Sequence, residues 1–337
     1  MRVLLGIVLM AATAVAADTA TPPDRARSFL AATYGLTPAE IGRLDAGHVV
    51  SRTLETTHKR DVATLGVVRI PATAAKYVEH LTDIATFKRT GDVLQVGKFS
   101  VPPQESDVAR LTLDEGDVRR LKTCRIDDCD LRLSADAIQQ VARVDWRAAA
   151  AGNRAADVVR QVLVDYVTRY GENGALMEYA NRTPRLDVRA EFASLVDQDR
   201  TTWRHLGDLR QHVLEYPAAG GGAVDFIYWS KERVHKRGVV SLTHMSIMRQ
   251  PDEAPVRFAI SSKQIYAMHY FDASLGLTLL VPDQSSASPA IFVVYLNRSR
   301  IDIFDGLLGG VARRVVSGRA RSLVADQLGR LQRTLGS

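Results

Sequence analysis

The apolar residues of this chain change their spacing along its length, and the changes divide it into helix and strand. Between Asp24 and Leu44, Phe29, Leu30 and Tyr34 and then Ile41 and Leu44 sit at helical spacing on either side of Gly35-Leu36-Thr37-Pro38. Thr37 is placed there as a cap, with Glu40 three residues later. From Val49 the period shortens. Val49, Val50 and Leu54, then Val62, Leu65, Val67, Val68 and Ile70, stand among Thr, Ser and charged residues, which predicts two strands joined by a polar turn at 57–60. Pro71-Ala72-Thr73 ends the second strand and opens a short helix over 74–87. Residues 93–99 alternate again before Pro102-Pro103.

Strand signals then stop, and 106–216 reads as helices. The clearest covers 155–179, where Val158, Val162, Tyr166 and Tyr170 recur every four residues with Val159, Leu163 and Val167 on the same flank. Residues 202–216 form another, ended by Pro217. After a Gly220-Gly221-Gly222 join, strand patterns return at 224–230, 239–249, 257–271, 275–281 and 290–301. The chain closes on an amphipathic helix in which Val324, Leu328, Leu331 and Leu335 oppose Arg321, Arg330 and Arg333.

With the helical block set aside, this order resembles the helix-grip fold of the START-like (SRPBCC) superfamily. Residues 61–84, DVATLGVVRIPATAAKYVEHLTDI, are similar to the family's opening strand, small-residue turn and first helix. Residues 290–335 resemble its last strand, a Gly-containing loop and the helix that closes the cavity. The fold class is therefore expected to be α+β, a curved antiparallel sheet gripping a long C-terminal helix, with a large inserted helical block. The expected organisation is a leader at 1–17, the first part of the START-like domain at 18–105, the helical insertion at 106–216, and the remaining sheet and last helix at 217–337. The resemblance implies a cavity between sheet and C-terminal helix for a hydrophobic or amphipathic small molecule, with lipid the leading class.

The N-terminus changes the expected compartment. Met1-Arg2 is followed by an uncharged run to Val15 and by Ala14-Val15-Ala16-Ala17 before Asp18, the form of a signal peptide cleaved near Ala16-Ala17. The apolar run is short for a membrane span, so the mature protein is expected to be soluble in the periplasm or outside the cell. The only cysteines, Cys124 and Cys129, read as a disulfide in such a compartment. Asp127, Asp128 and Asp130 offer oxygens for a metal beside them, but a structural zinc site needs more nitrogen or sulfur ligands. No metal and no cofactor are expected. The net charge of +6 is spread along the chain, which permits transient contact with an anionic membrane surface. Nucleic acid is excluded as a partner by the lack of an aromatic-basic motif. At 46% hydrophobic and 24% charged, the composition is that of a globular protein.

Strict alternation over 257–271 puts Phe258, Ile260, Ser262, Gln264, Tyr266, Met268 and Tyr270 on one face. The expected ligand-binding residues are Tyr228, Trp229, His244, Met245, Tyr266, Met268, Tyr270 and Tyr295, which supply adaptable apolar area with a few polar tips. Arg298 and Arg300 share a face and either clamp an anionic head group or pair with Asp302 or Asp305. Catalytic motifs for serine hydrolases, zinc proteases, penicillin-binding enzymes and dinucleotide enzymes are missing, and no catalytic residue is assigned. A hydrolase or lyase on the same scaffold, using His244 and His269 with Glu232 or Asp272, is the alternative class. His205 and His212, a helical pair, read as surface residues. A third class is an interaction protein that docks through the insertion, which requires an exposed apolar stripe there.

Overall fold

A computed structural model describes residues 24–218, 222–234, 237–302 and 309–336. The leader expected at 1–17, Gly220 and Gly221 of the glycine join, and residues 303–308, where a Gly-containing loop is expected, lie outside the described residues.

The N-terminal helical stretch is two helices, α1 (Arg25–Tyr34) and α2 (Pro38–Asp45). Asp24 caps the first, and Gly35 ends it in the left-handed conformation at φ 61°. Thr37 and Glu40 form a reciprocal capping box at the second, with Pro38 in its first turn. Strands β1 (Val50–Thr53) and β2 (Asp61–Ile70) follow, then α3 (Ala74–Thr82), α4 (Ile84–Phe87) and β3 (Val93–Lys98). The single helix expected over 74–87 is divided at Asp83, whose side chain caps α4.

A 3-10 turn at Glu105–Val108 opens the insertion. Its helices are α5 (Glu115–Thr123), α6 (Ala135–Ala142), α7 (Ala151–Asn173), α8 (Val188–Asp197), α9 (Arg200–Trp203) and α10 (Gly207–Glu215). The long helix α7 stops short of the expected 179 because Gly174 adopts a left-handed φ of 68°; a Cβ there would meet the Tyr216 carbonyl. Four long strands and a fifth complete the sheet: β4 (Ala223–Val234), β5 (Arg237–Arg249), β6 (Phe258–Ala267), β7 (Phe271–Pro282) and β8 (Ile291–Ile301). Helix α11 (Gly309–Gly336) ends the chain.

All eight strands form one curved antiparallel sheet in the order β1-β2-β8-β7-β6-β5-β4-β3. Since β3 and β4 are neighbours, the whole helical block is an excursion between two paired strands. Helix α11 lies across one face, and its Val324, Leu328, Leu331 and Leu335 join Val68, Ile70, Val293, Leu280 and Ile247 in one core. Burying each of those four side chains stabilises the fold by at most about 1.5–3 kcal/mol. The helical block covers the other face, where Leu65, Val67, Leu277, Leu279 and Val294 meet α7 and α8 through Val159, Leu163 and Phe192. The protein is thus α+β, with a sheet that grips a C-terminal helix on one side and carries the inserted block on the other. Among the described residues no helix is long and apolar enough to cross a membrane.

The strict alternation expected for 257–271 does not hold. Leu242 pairs with Tyr266 but Thr243 pairs with Gln264, so Ile265 is an extra residue, a β-bulge, and the parity of β6 reverses there. The Ile265 carbonyl accepts a hydrogen bond from the Tyr166 hydroxyl of α7 at 2.8 Å, so the helical block anchors the bulge. The run is also two strands rather than one, turning at 268–270 with Tyr270 at φ 65°.

Cys124 and Cys129 are joined as a disulfide, Cα atoms 4.5 Å apart, in the loop after α5. Asp130 beside them pairs with Arg120 at 3.3 Å.

Candidate functional site

On the gripping face, Phe226 and Tyr228 of β4, Ile260 and Ser262 of β6, and Thr278 and Leu280 of β7 point toward α11, and there the packing leaves a cavity of about 100 Å³. Its floor is the sheet, through Tyr228, Met245, Ser262, Thr278 and Tyr295. Its roof is α11, through Val324, Gln327, Leu328 and Leu331. The side wall is the α3–α4 segment, with Tyr77, Leu81, Phe87 and Lys88. The opening in the floor has a definite origin: Gly276 lies between Ser262 and Asn297 in the sheet, and a Cβ on it would run into the Ser262 hydroxyl and come within 3.4 Å of the Tyr295 ring.

The walls are apolar with polar tips. Tyr77 bonds to Thr278, and burial pushes its hydroxyl pKa up, so it stays neutral. Burial likewise raises Tyr295, which bonds to Asn297. Against the cavity wall, Lys88 Nζ stands 2.8 Å from Glu232 Oε1 and 6.0 Å from the Tyr228 ring centroid. Burial alone would favour neutral Lys88, but the Glu232 charge and hydrogen bond outweigh it and raise the lysine pKa. The same attraction overrides desolvation at Glu232 and lowers its pKa. Lys88 thus lines the cavity as a charged group held by an ion pair, able to exchange its internal partner for a ligand's anionic group.

Three of the ten residues expected to bind a ligand, Tyr228, Met245 and Tyr295, line this cavity. The others lie elsewhere. Trp229 is on the opposite face, its indole N–H donating to the Asp107 carbonyl at 2.8 Å. Tyr266 is turned to that same face by the bulge and meets the rings of Tyr166 and Tyr179. Met268 is buried with them just past the end of β6. Tyr270 packs beside Val62 and Ile301.

Arg298 and Arg300 lie on the face of β8 turned to the helical block. Arg300 is held by Asp61, Nε to Oδ1 at 2.6 Å and Nη2 to Oδ2 at 3.0 Å, and by Glu191 and Ser194. Of the alternative partners expected, Asp302 pairs instead with Arg132 at 2.7 Å, and Asp305 lies outside the described residues. Arg298 is half-buried, and its Nε and Nη1 make no hydrogen bond. Tyr77, Lys88, Ser262 and Thr278 were not among the expected residues. The signal for Ser262 and Thr278 was present in strand parity, whereas Tyr77 and Lys88 come from a helix whose docking no local pattern specifies.

His244 also faces the helical block, apart from His269. His244 Nε2 lies 2.9 Å from Asp225 Oδ1, and His212 Nε2 lies 2.9 Å from the same oxygen. His269 is paired separately with Asp117 at 3.0 Å, while Asp272 accepts from Arg60 and Arg132. His212 is buried rather than on the surface, because the inserted helix α10 lies against the sheet.

Comparison with protein-family models, with curated proteins and with solved structures found no significant match to this chain.

Proposed function

We propose that this is an exported START-like binding protein that holds a hydrophobic or amphipathic small molecule between its sheet and α11. The observation that carries the reading is the cavity itself, with a glycine floor, tyrosine hydroxyls and the ion-paired Lys88 in its wall, on a sheet otherwise packed on both faces. Its size bounds the ligand. At about 100 Å³ it is several-fold smaller than the roughly 300–1,000 Å³ of pockets for drug-sized ligands. A small amphipathic molecule or the end of a lipid chain fits as it stands, and a whole lipid requires α11 to swing outward. The leader-like N-terminus and the disulfide support export.

The interaction reading is less well supported. The only large apolar side chain more than a third exposed among the described residues of the insertion is Ile126, so the insertion offers no apolar stripe. The hydrolase or lyase reading has no acid–base set built from His244 and His269 together.

Native mass spectrometry of protein secreted from its full-length gene, followed by organic extraction, tests the proposal. A stoichiometric co-purified molecule, lost in a Gly276→Val, Ser262→Ala double variant that fills the cavity without colliding with the hydroxyl, is the expected result. The same spectrum gives the mature N-terminus, expected near Asp18. A clean apo mass in repeated preparations, with no uptake of offered fatty acids, sinks the reading.

A further inference from the structure

The face of the sheet away from the cavity carries a second convergence of side chains, from three elements. His212 projects from α10, Asp225 from β4 and His244 from β5. The register pairs Asp225 with Ser246 and Ile227 with His244, so Asp225 and His244 are diagonal neighbours on one face. Both imidazoles aim Nε2 at one oxygen, Asp225 Oδ1, at 2.9 Å each, and the three donor atoms all lie within 4.8 Å of one another.

We infer that His212, Asp225 and His244 form a binding site for a divalent transition-metal ion, zinc by preference, which ties the inserted block to the β4–β5 hairpin. Two imidazoles and a carboxylate are a donor set that suits zinc, and three protein ligands leave a fourth position for water or a ligand. In a tetrahedral zinc site with bonds of about 2.0–2.2 Å the donors stand about 3.4 Å apart. Two of the separations here are 2.9 Å and the third is no more than 4.8 Å, so the ion enters as the carboxylate draws back from the two imidazoles and all three donors turn toward it.

The surroundings are those of a metal-bound histidine. The other nitrogen of the His244 ring, Nδ1, lies 2.9 Å from the Tyr170 hydroxyl, which accepts from Nδ1–H when Nε2 binds a metal. The Tyr216 ring stands 4.3 Å from His244 and stacks on Tyr170, shielding one side of the site, while the Asp225 side chain is 24% exposed and leaves an entry path. Lys263 acts against the ion, but its ammonium is held by the Val213 carbonyl at 2.8 Å between the Tyr170 and Phe192 rings.

The site lies on the opposite face from the cavity, so it stands or falls independently of the ligand reading. The test uses untagged, full-length mature protein, stripped with a chelator and titrated with zinc alone by calorimetry, and with cobalt to read the visible spectrum. One equivalent is expected to bind, with a four-coordinate cobalt spectrum and a raised melting temperature. Asp225→Asn, close to isosteric, and His212→Ala should each weaken zinc at least ~100-fold, and Tyr170→Phe about 10-fold. Circular dichroism checks that each variant is folded, and the Asp225→Asn result stands even if His212→Ala unfolds. Absence of stoichiometric binding by the unaltered protein, or binding that survives in Asp225→Asn, overturns the inference.

Discussion

Gly66 of β2 and Leu328 of α11 are in direct contact: a Cβ on the glycine would stand 2.6 Å from Leu328 Cδ1, and closer still to Val324. The absence of a side chain at this one strand position lets the closing helix lie against the sheet. Gly66→Ala should lower stability by about 1–3 kcal/mol through overpacking, despite the usual advantage of alanine over glycine in a strand. Leu328→Ala in the same chain should recover part of the loss, and a double-mutant cycle in urea measures the coupling. Additive losses would mean the two do not touch.

Arg300 and Asp61 form a two-bond, buried ion pair that Glu191 and Ser194 extend into the helical block. Arg300→Ala leaves Asp61 to the Gln198 amide at 2.7 Å and Glu191 to Arg60 at 3.7 Å, and should cost about 3–5 kcal/mol. An Asp61→Asn, Arg300→Met pair should cost less than the single change. Neither should alter the stoichiometry of a molecule held in the cavity. Loss of that molecule in a folded double variant would return Arg300 to the binding site.

Lys263 makes stability depend on alkaline pH. Burial pushes its pKa down from 10.5 to about 8, so the folded state holds the proton less tightly than the unfolded chain. The resulting cost to stability is fully present below pH 8 and is relieved as pH rises from 8 to 10.5. The stability of Lys263→Met relative to the unaltered protein should therefore fall by about 2–3 kcal/mol between pH 7 and pH 10. Buried tyrosines titrate in both proteins and cancel in the difference. A difference that stays constant with pH would show that Lys263 remains charged when folded.

The Cys124–Cys129 bridge closes a loop with a sequence separation of only 5, which limits what it removes from the unfolded ensemble. Replacing both cysteines by alanine should cost about 2 kcal/mol, read as a lower urea midpoint at unchanged slope. Reductant should move the unaltered protein by the same amount and leave the variant unmoved.

Local periodicity was enough to identify the strand and helix types, the Thr37 capping box, the apolar stripe of α11 and the α+β class, because period 2 and period 3.6 are properties of a few consecutive residues. The even pair of cysteines behind a leader-like segment likewise marked their bridge. What the local pattern lacked was the second cover of the sheet. With α11 on one face and the helical block on the other, β5 is buried from Gly238 to Met248, so polar and apolar positions no longer distinguish its faces. Tyr228, Met245 and Tyr295 were legible as cavity residues, whereas Tyr266 was reversed by a bulge at Ile265 whose carbonyl finds its partner on α7. Along the chain His212 read as a surface residue and His244 as a cavity-wall candidate, while nothing singled out Asp225. Their convergence was decided by the docking of α10 on the β4–β5 hairpin, since side chains separated in sequence share a site only when tertiary packing brings their backbones together.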